Sequence, residues 1–331
     1  MGAGTAQGGA CLLISGKERK NMEFVVFAGV LLLLFIFMIV QELIQTKNQE
    51  KLFKKYLREN YGKEPPKEYS LERFARLGSY LERHKEEKQL DDITWNDLGM
   101  DEVFRRIDRT YSAAGEEYLY YTLRNISCGR EALEHLEEVV NWLQEQENIK
   151  VRIQLMMKRL GHLGKYSLYD YLDNLDYLGE RSNRKIVLGN LLYLPFLLLL
   201  FVQPAMGTIG IVLCMLWHIM TYFREKKVIE PYIISFAYVL RLIDVCEELE
   251  KQKIPVYRRE LDELREALKS LRELRRGAYW VMAGNQGKIG GNPLDILADY
   301  LRMILHLDIW QFNLMLRKLR LKTNEVDRLL G

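Results

Sequence analysis

Residues 186–223 read IVLGNLLYLPFLLLLFV, QPAMGT, IGIVLCMLWHIMTYF, and their interpretation decides the fold. Ile186–Val202 and Ile209–Phe223 are uncharged runs of a length that approaches a hydrocarbon core of ~30 Å. Only Gln203–Thr208, with its Pro and Gly, lies between them, so two spans here must form a tight hairpin. A buried soluble helix pair would show the same composition. The second run is short for a full span, so a re-entrant hairpin also stays open.

Outward from the hairpin, the flanking charges give its orientation. Arg181, Arg184 and Lys185 precede it, Arg224, Lys226 and Lys227 follow it, and its tip is uncharged. Both ends therefore belong in the cytoplasm. A third apolar run, Phe24–Val40, precedes Lys47, Lys51, Lys54, Lys55 and Arg58, which assigns its carboxyl side to the cytoplasm as well. Lys17, Arg19 and Lys20 just before the run oppose that orientation. A translation start at Met22 resolves the conflict and is the reading adopted; an uncleaved signal-like anchor is the alternative.

The remainder is rich in charge yet nearly neutral overall, with Lys+Arg 48 against Asp+Glu 45 and a net charge of +3. That balance gives no strong electrostatic case for nucleic acid. Apolar positions recur at helical spacing, and no convincing strand alternation is found, so the expected class is all-α. The cysteines Cys11, Cys128, Cys214 and Cys246 are far apart, which argues against a disulfide framework or a zinc site.

Thr94–Arg124, TWNDLGMDEVFRRIDRTYSAAGEEYLYYTLR, reads as a helix that stops at a small-residue corner and restarts. Met100, Val103, Phe104 and Ile107 form the first stripe. Thr110, Ser112 and Gly115 break it, and Tyr118, Leu119, Thr122 and Leu123 resume it. The set Ile107, Asp108, Thr110, Ser112, Gly115 and Leu119 resembles the corner that opens the core or lever domain of the MutS family of DNA mismatch-repair ATPases. The run GNPLDILADYLRMILHLDIWQFN, from Gly291, resembles the helical region just before the ATPase in membrane-anchored relatives of that family. The family's following Ile-x-x-Arg is absent, its place being taken by Leu133, Glu134, His135 and Leu136.

The resemblance implies a scaffold between DNA-gripping and ATP-hydrolysing parts, and neither of those parts is seen. No Walker A or B is found up to Gly331. Gly277–Pro293 contains Gly287-Lys288, but Ile289 stands where a Mg²⁺-holding hydroxyl is needed. The mismatch-reading Phe-x-Glu matches only at Phe223-Arg224-Glu225, and about one such match is expected by chance. The chain is therefore expected to be non-catalytic, with no cofactor and no catalytic, cofactor-binding or metal-ligating residue. DNA and ATP binding are implied for the family rather than for this chain.

The expected organisation is a tail at 1–21, a transmembrane helix at 22–45 and a charged helical connector at 46–92. The first half of a MutS core-like bundle follows at 93–185, the membrane hairpin at 186–223, and a lever-like second half at 224–331. In the connector, Glu72, Arg73, Arg76, Glu82 and Arg83 suit either lipid headgroups or a solvated helix face. Leu133, Leu136, Val140 and Leu143 read as a packing stripe, as do Ile153, Leu155, Met156 and Leu160. Leu261, Leu264, Leu268 and Leu271 suggest an intramolecular helix pair, since the heptads are too few for a dimeric coiled coil. His306 and Asp308 read as structural hydrogen-bonding groups, with no third catalytic partner in view.

Three functions fit this reading. The first is a partial member of the membrane-anchored MutS-like family whose ATPase is lost or encoded downstream, acting as a homodimer or with that segment, with DNA reached through the full assembly. The second is a self-sufficient membrane adaptor for a partner protein. The third is a small transporter using Asn190, Thr221 and His218 within the bilayer. The expected location is a bacterial cell membrane, multi-pass, with the helical blocks in the cytoplasm.

Overall fold

In a computed structural model, the described residues are 30, 33–34, 36–41, 43–63, 71–86, 88–125, 129–163, 167–252, 254–275 and 293–330. The class is all-α. Among the described residues the one strand-like feature is an isolated bridge between Gln89 and Asn125. The tail 1–21, Cys128, Pro65, Pro66 and the glycine-rich loop 277–292 lie outside the described residues.

Helix α1 is described continuously over 43–59. The described part of the apolar run before it is helical, with Leu33, Leu34, Phe37 and Val40 exposed. The first block comprises α2 (Leu71–Arg83), α3 (Asp92–Asp97), α4 (Met100–Ile107), α5 (Ala113–Arg124), α6 (Arg130–Glu145), α7 (Glu147–Leu160) and α8 (Leu168–Leu172). Leu77, Trp95, Phe104 and Tyr120 bury a small core between α2 and α5. Thus α2, sequentially in the connector, packs as part of the globular block.

The hairpin has a broken first arm, α9 (Arg184–Leu191) and α10 (Tyr193–Val202). Pro195 has no N–H to offer the Leu191 carbonyl, and the arm breaks at Leu192. The second arm does not end at Phe223. Helix α11 starts at Pro204, immediately after Gln203, and runs unbroken to Glu250. Its 47 residues make it about 70 Å long. Pro at the first helical position costs nothing, because that N–H would be unpaired anyway.

The remaining helices are α12 (Arg258–Arg275), α13 (Pro293–Leu305), α14 (Leu307–Arg320) and α15 (Thr323–Leu330). The main core is built around the distal half of α11. Ile229, Phe236, Leu240 and Ile243 meet Met156 and Leu160 of α7, Leu268 and Leu271 of α12, Phe312 of α14 and Val326 of α15. The leucine stripe on α12 faces inward within the chain. Its outer edge is tied to α11 by Arg265–Glu250 at 3.0 Å and Arg275–Asp244 at 2.8 Å.

Two expectations need correction. On α6, Leu133, Leu136 and Val140 are exposed, and the buried residue is Val139. The spacing established an amphipathic helix but could not establish which face packs. In the connector, Arg76 is neither a headgroup ligand nor solvated: it is buried and pairs with buried Glu116 at 2.6 Å. Arg83 likewise pairs with Asp173 at 2.7 Å.

Candidate functional site

The corner is built from short-range capping. Helix α4 stops at Ile107, and Asp108 accepts from both the Thr110 amide (2.8 Å) and the Thr110 hydroxyl (2.6 Å). Ser112 has extended backbone and caps α5 by accepting from the Gly115 amide at 3.2 Å. Gly115 sits inside the first turn of α5 and needs no left-handed backbone. A Cβ there would press on the capping Ser112 Oγ at 3.1 Å and lie 3.5 Å from Thr110 Cβ. The glycine is explained by crowding of the cap rather than by backbone strain.

Three helices, α1, α7 and α11, grip this corner. The Ala113 amide donates to the Gly161 carbonyl at 2.9 Å, and the Ala114 amide to the Tyr238 hydroxyl of α11 at 3.1 Å. Arg109 donates to the Asn60 carbonyl at 2.9 Å, at the end of α1, and Tyr111 meets Phe53 edge-on at 5.5 Å. Beneath the corner, Glu117 accepts from Ser167 at 3.0 Å and lines a cavity of about 10 Å³ with Tyr169 and Tyr238. That is room for about one water. Burial pushes the Glu117 carboxyl up to about 8.

A second polar knot lies at the base of the hairpin. The sequence offered Asn190, Thr221 and His218 as isolated intramembrane polar groups. The fold brings all three to His306, between α13 and α14. Asn190 donates to the Leu305 carbonyl at 3.1 Å, Thr221 Oγ1 lies 3.4 Å from His306 Nε2, and the His218 and His306 rings are 5.4 Å apart. Tyr193 stacks at a tilt on His218, 4.9 Å away. One turn further along α11, the Tyr222 hydroxyl donates to buried Asp308 at 2.9 Å and accepts from Lys226 at 3.0 Å. Asp308 thus acquires the partners that its sequence neighbourhood did not reveal.

His306 has a left-handed backbone, φ 53°, at the join between α13 and α14. Its side chain is buried, and Nδ1 has no hydrogen-bond partner. Burial, reinforced by His218, pushes its imidazole down to about 4, so it is neutral at physiological pH. Among the described residues no set of three His, Cys, Asp or Glu side chains is arranged to hold a metal. The knot therefore ties α9, α11 and α14 together by hydrogen bonds and ring contacts, and the corner ties α1, α5, α7 and α11. Helix α11 is common to both.

Two described helices, Arg184–Val202 and Pro204–Glu250, are long and apolar enough to cross a membrane. Their outward residues include Leu194, Leu198, Phe201, Leu213, Leu216 and Met220, all exposed. No family model matches the chain, and no curated protein or solved structure matches it.

Proposed function

We propose that this chain is a membrane-anchored helical scaffold, non-catalytic by itself, in which α11 carries mechanical or positional information between the bilayer and the corner. The observation behind this reading is the change of surroundings along that helix. Its first half exposes Ile209, Leu213, Leu216 and Met220, whereas its second half buries Ile229, Phe236, Leu240 and Ile243 in the helical block. A chain with exposed apolar residues along both hairpin arms needs a lipid or protein cover, and the basic residues at 181–185 and 224–227 favour lipid with both ends in the cytoplasm.

The likeness of Ile107–Leu119 to the MutS corner gives this scaffold its specific form. In that reading it is the core or lever part of a cell-membrane MutS-like machine that works with an ATPase segment or as a homodimer. The packing of the corner against α1 and α11 suits a lever, since both helices lead back towards apolar segments. The test uses the purified chain in lipid nanodiscs. It should resist extraction by alkaline carbonate, hydrolyse no ATP, and bind duplex DNA only weakly, with strong salt dependence and no mismatch preference. Hydrolysis by the chain alone, or tight mismatch-selective binding, would count against the scaffold reading.

A further inference from the structure

Helix α13 carries an apolar stripe that the other described residues leave exposed. Leu297, Tyr300, Leu301 and Ile304 follow helical spacing along one face, and the first three are exposed. Asp299, which holds Arg302, projects on the opposite side. The helix is docked by its carboxyl end at the base of the hairpin. There the Leu305 carbonyl accepts from Asn190, and His306 meets His218 and Tyr222.

The depth of that docking follows from helix geometry. His218 is fourteen residues beyond Pro204 in one unbroken helix, or about 21 Å from the hairpin tip. In a hydrocarbon layer of ~30 Å this places the end of α13 within the cytoplasmic leaflet. The surrounding exposed side chains suit that level. Leu188, Leu191, Trp217 and Phe223 of the hairpin are exposed, Trp310 of α14 is partly exposed, and Arg184, Lys185, Arg224 and Lys227 flank the same region. Aromatic and basic residues together mark the headgroup boundary.

From this continuity we infer that α13 is a third membrane-contacting element, an interfacial helix. It lies against the cytoplasmic leaflet with Leu297, Tyr300 and Leu301 among the lipid chains and Asp299 towards water. The inference rests on the membrane reading of the hairpin. It adds that the chain returns to the bilayer after leaving it, so the knot at His306 is held between two lipid-embedded surfaces.

The test is nitroxide accessibility in the full chain, reconstituted in phosphatidylcholine–phosphatidylglycerol vesicles, with the native cysteines replaced by alanine. Labels go singly at Leu301→Cys and Asp299→Cys on α13, and at Leu198→Cys on the hairpin. The expected result is collision with oxygen several-fold above that with a water-soluble nickel chelate at positions 301 and 198, and the reverse at 299. If 198 reads as lipid while 301 favours the nickel chelate, α13 faces water and the inference is wrong. If 198 reads as lipid while 301 is shielded from both reagents, a second protein surface covers the stripe, which also overturns it. A label at 198 that favours the chelate overturns the membrane reading itself and the inference with it.

Discussion

Between Pro204 and Tyr222, α11 buries about one residue per turn, Gly207, Gly210, Cys214, His218 and Tyr222, whereas between Ile233 and Cys246 it buries nearly every residue. The first half packs on the broken arm α9–α10, and only at its far end do His218, Thr221 and Tyr222 also meet the α13–α14 join. A Cβ on Gly207 would come within 2.6 Å of the Leu200 amide nitrogen, and one on Gly210 would overlap the Phe196 ring. In lipid, close backbone approach through small residues replaces the hydrophobic drive that water supplies. The second half is surrounded by α7, α12, α14 and α15 and follows the ordinary rules of a water-soluble core.

The contrast is broken most strongly by truncating the aqueous core. Phe236 is 1 % exposed and meets Phe312 edge-on at 6.2 Å. Phe236→Ala should cost about 3–5 kcal/mol, read as a lowered thermal midpoint of the helical block. Leu213→Ala, on the exposed face of the same helix, should change that midpoint little. Equal losses at the two positions would show that both faces are packed against protein.

A pH effect comes next. Because burial raises the Glu117 carboxyl from 4.5 to about 8, the folded chain holds a proton that the unfolded chain releases. This group's contribution is therefore complete below pH ~4.5, declines as pH rises towards about 8, and levels off beyond. Glu117→Gln should flatten the loss of thermal stability between pH 5 and pH 8, with its largest gain over the parent at the alkaline end. A parallel pair of pH profiles would mean that the carboxyl is solvated.

In the hairpin half, Gly207→Ala should weaken the packing of the two arms by about 1–3 kcal/mol, because the added methyl meets backbone that cannot rotate away. Gly210→Ala should cost less, since the obstructing Phe196 ring can move. The midpoint of detergent-induced opening, followed by energy transfer across the hairpin, reads the order of the two variants. Smaller again is the corner: Ser112→Ala removes the cap on α5 and should cost about 1 kcal/mol. Gly115→Ala should act through the same hydroxyl, so the double variant should lose less than the sum of the two.

Much of the architecture could be read from spacing alone. The two hairpin arms, the inward stripe of α12 and the stop at residues 108–112 are all local patterns, and local patterns survive folding. What escaped was long-range. The charges at Arg224–Lys227 looked like the end of a membrane helix, and Pro231 follows them, yet α11 continues through both. An internal proline usually marks a helix end, so the local pattern pointed the wrong way here. The burial of Arg76 depends on Glu116, forty residues away, and no periodicity reports such a pairing. The knot at His306 was hidden for the same reason, because its members come from α9, α11 and the α13–α14 join.

The central claim is that α11 enters the bilayer at the hairpin tip and returns to a cytoplasmic core, and a pair of introduced thiols tests it most directly. Cys214 and Cys246 are buried, so their silence towards reagents carries no topological information; Cys11 and Cys128 are replaced by serine. Gln203→Cys marks the exposed tip and Glu137→Cys an exposed position on α6. With a membrane-impermeant maleimide on intact cells, Gln203→Cys should label at once and Glu137→Cys only after permeabilisation. Labelling of Glu137→Cys on intact cells, or of Gln203→Cys only after permeabilisation, would contradict the claim.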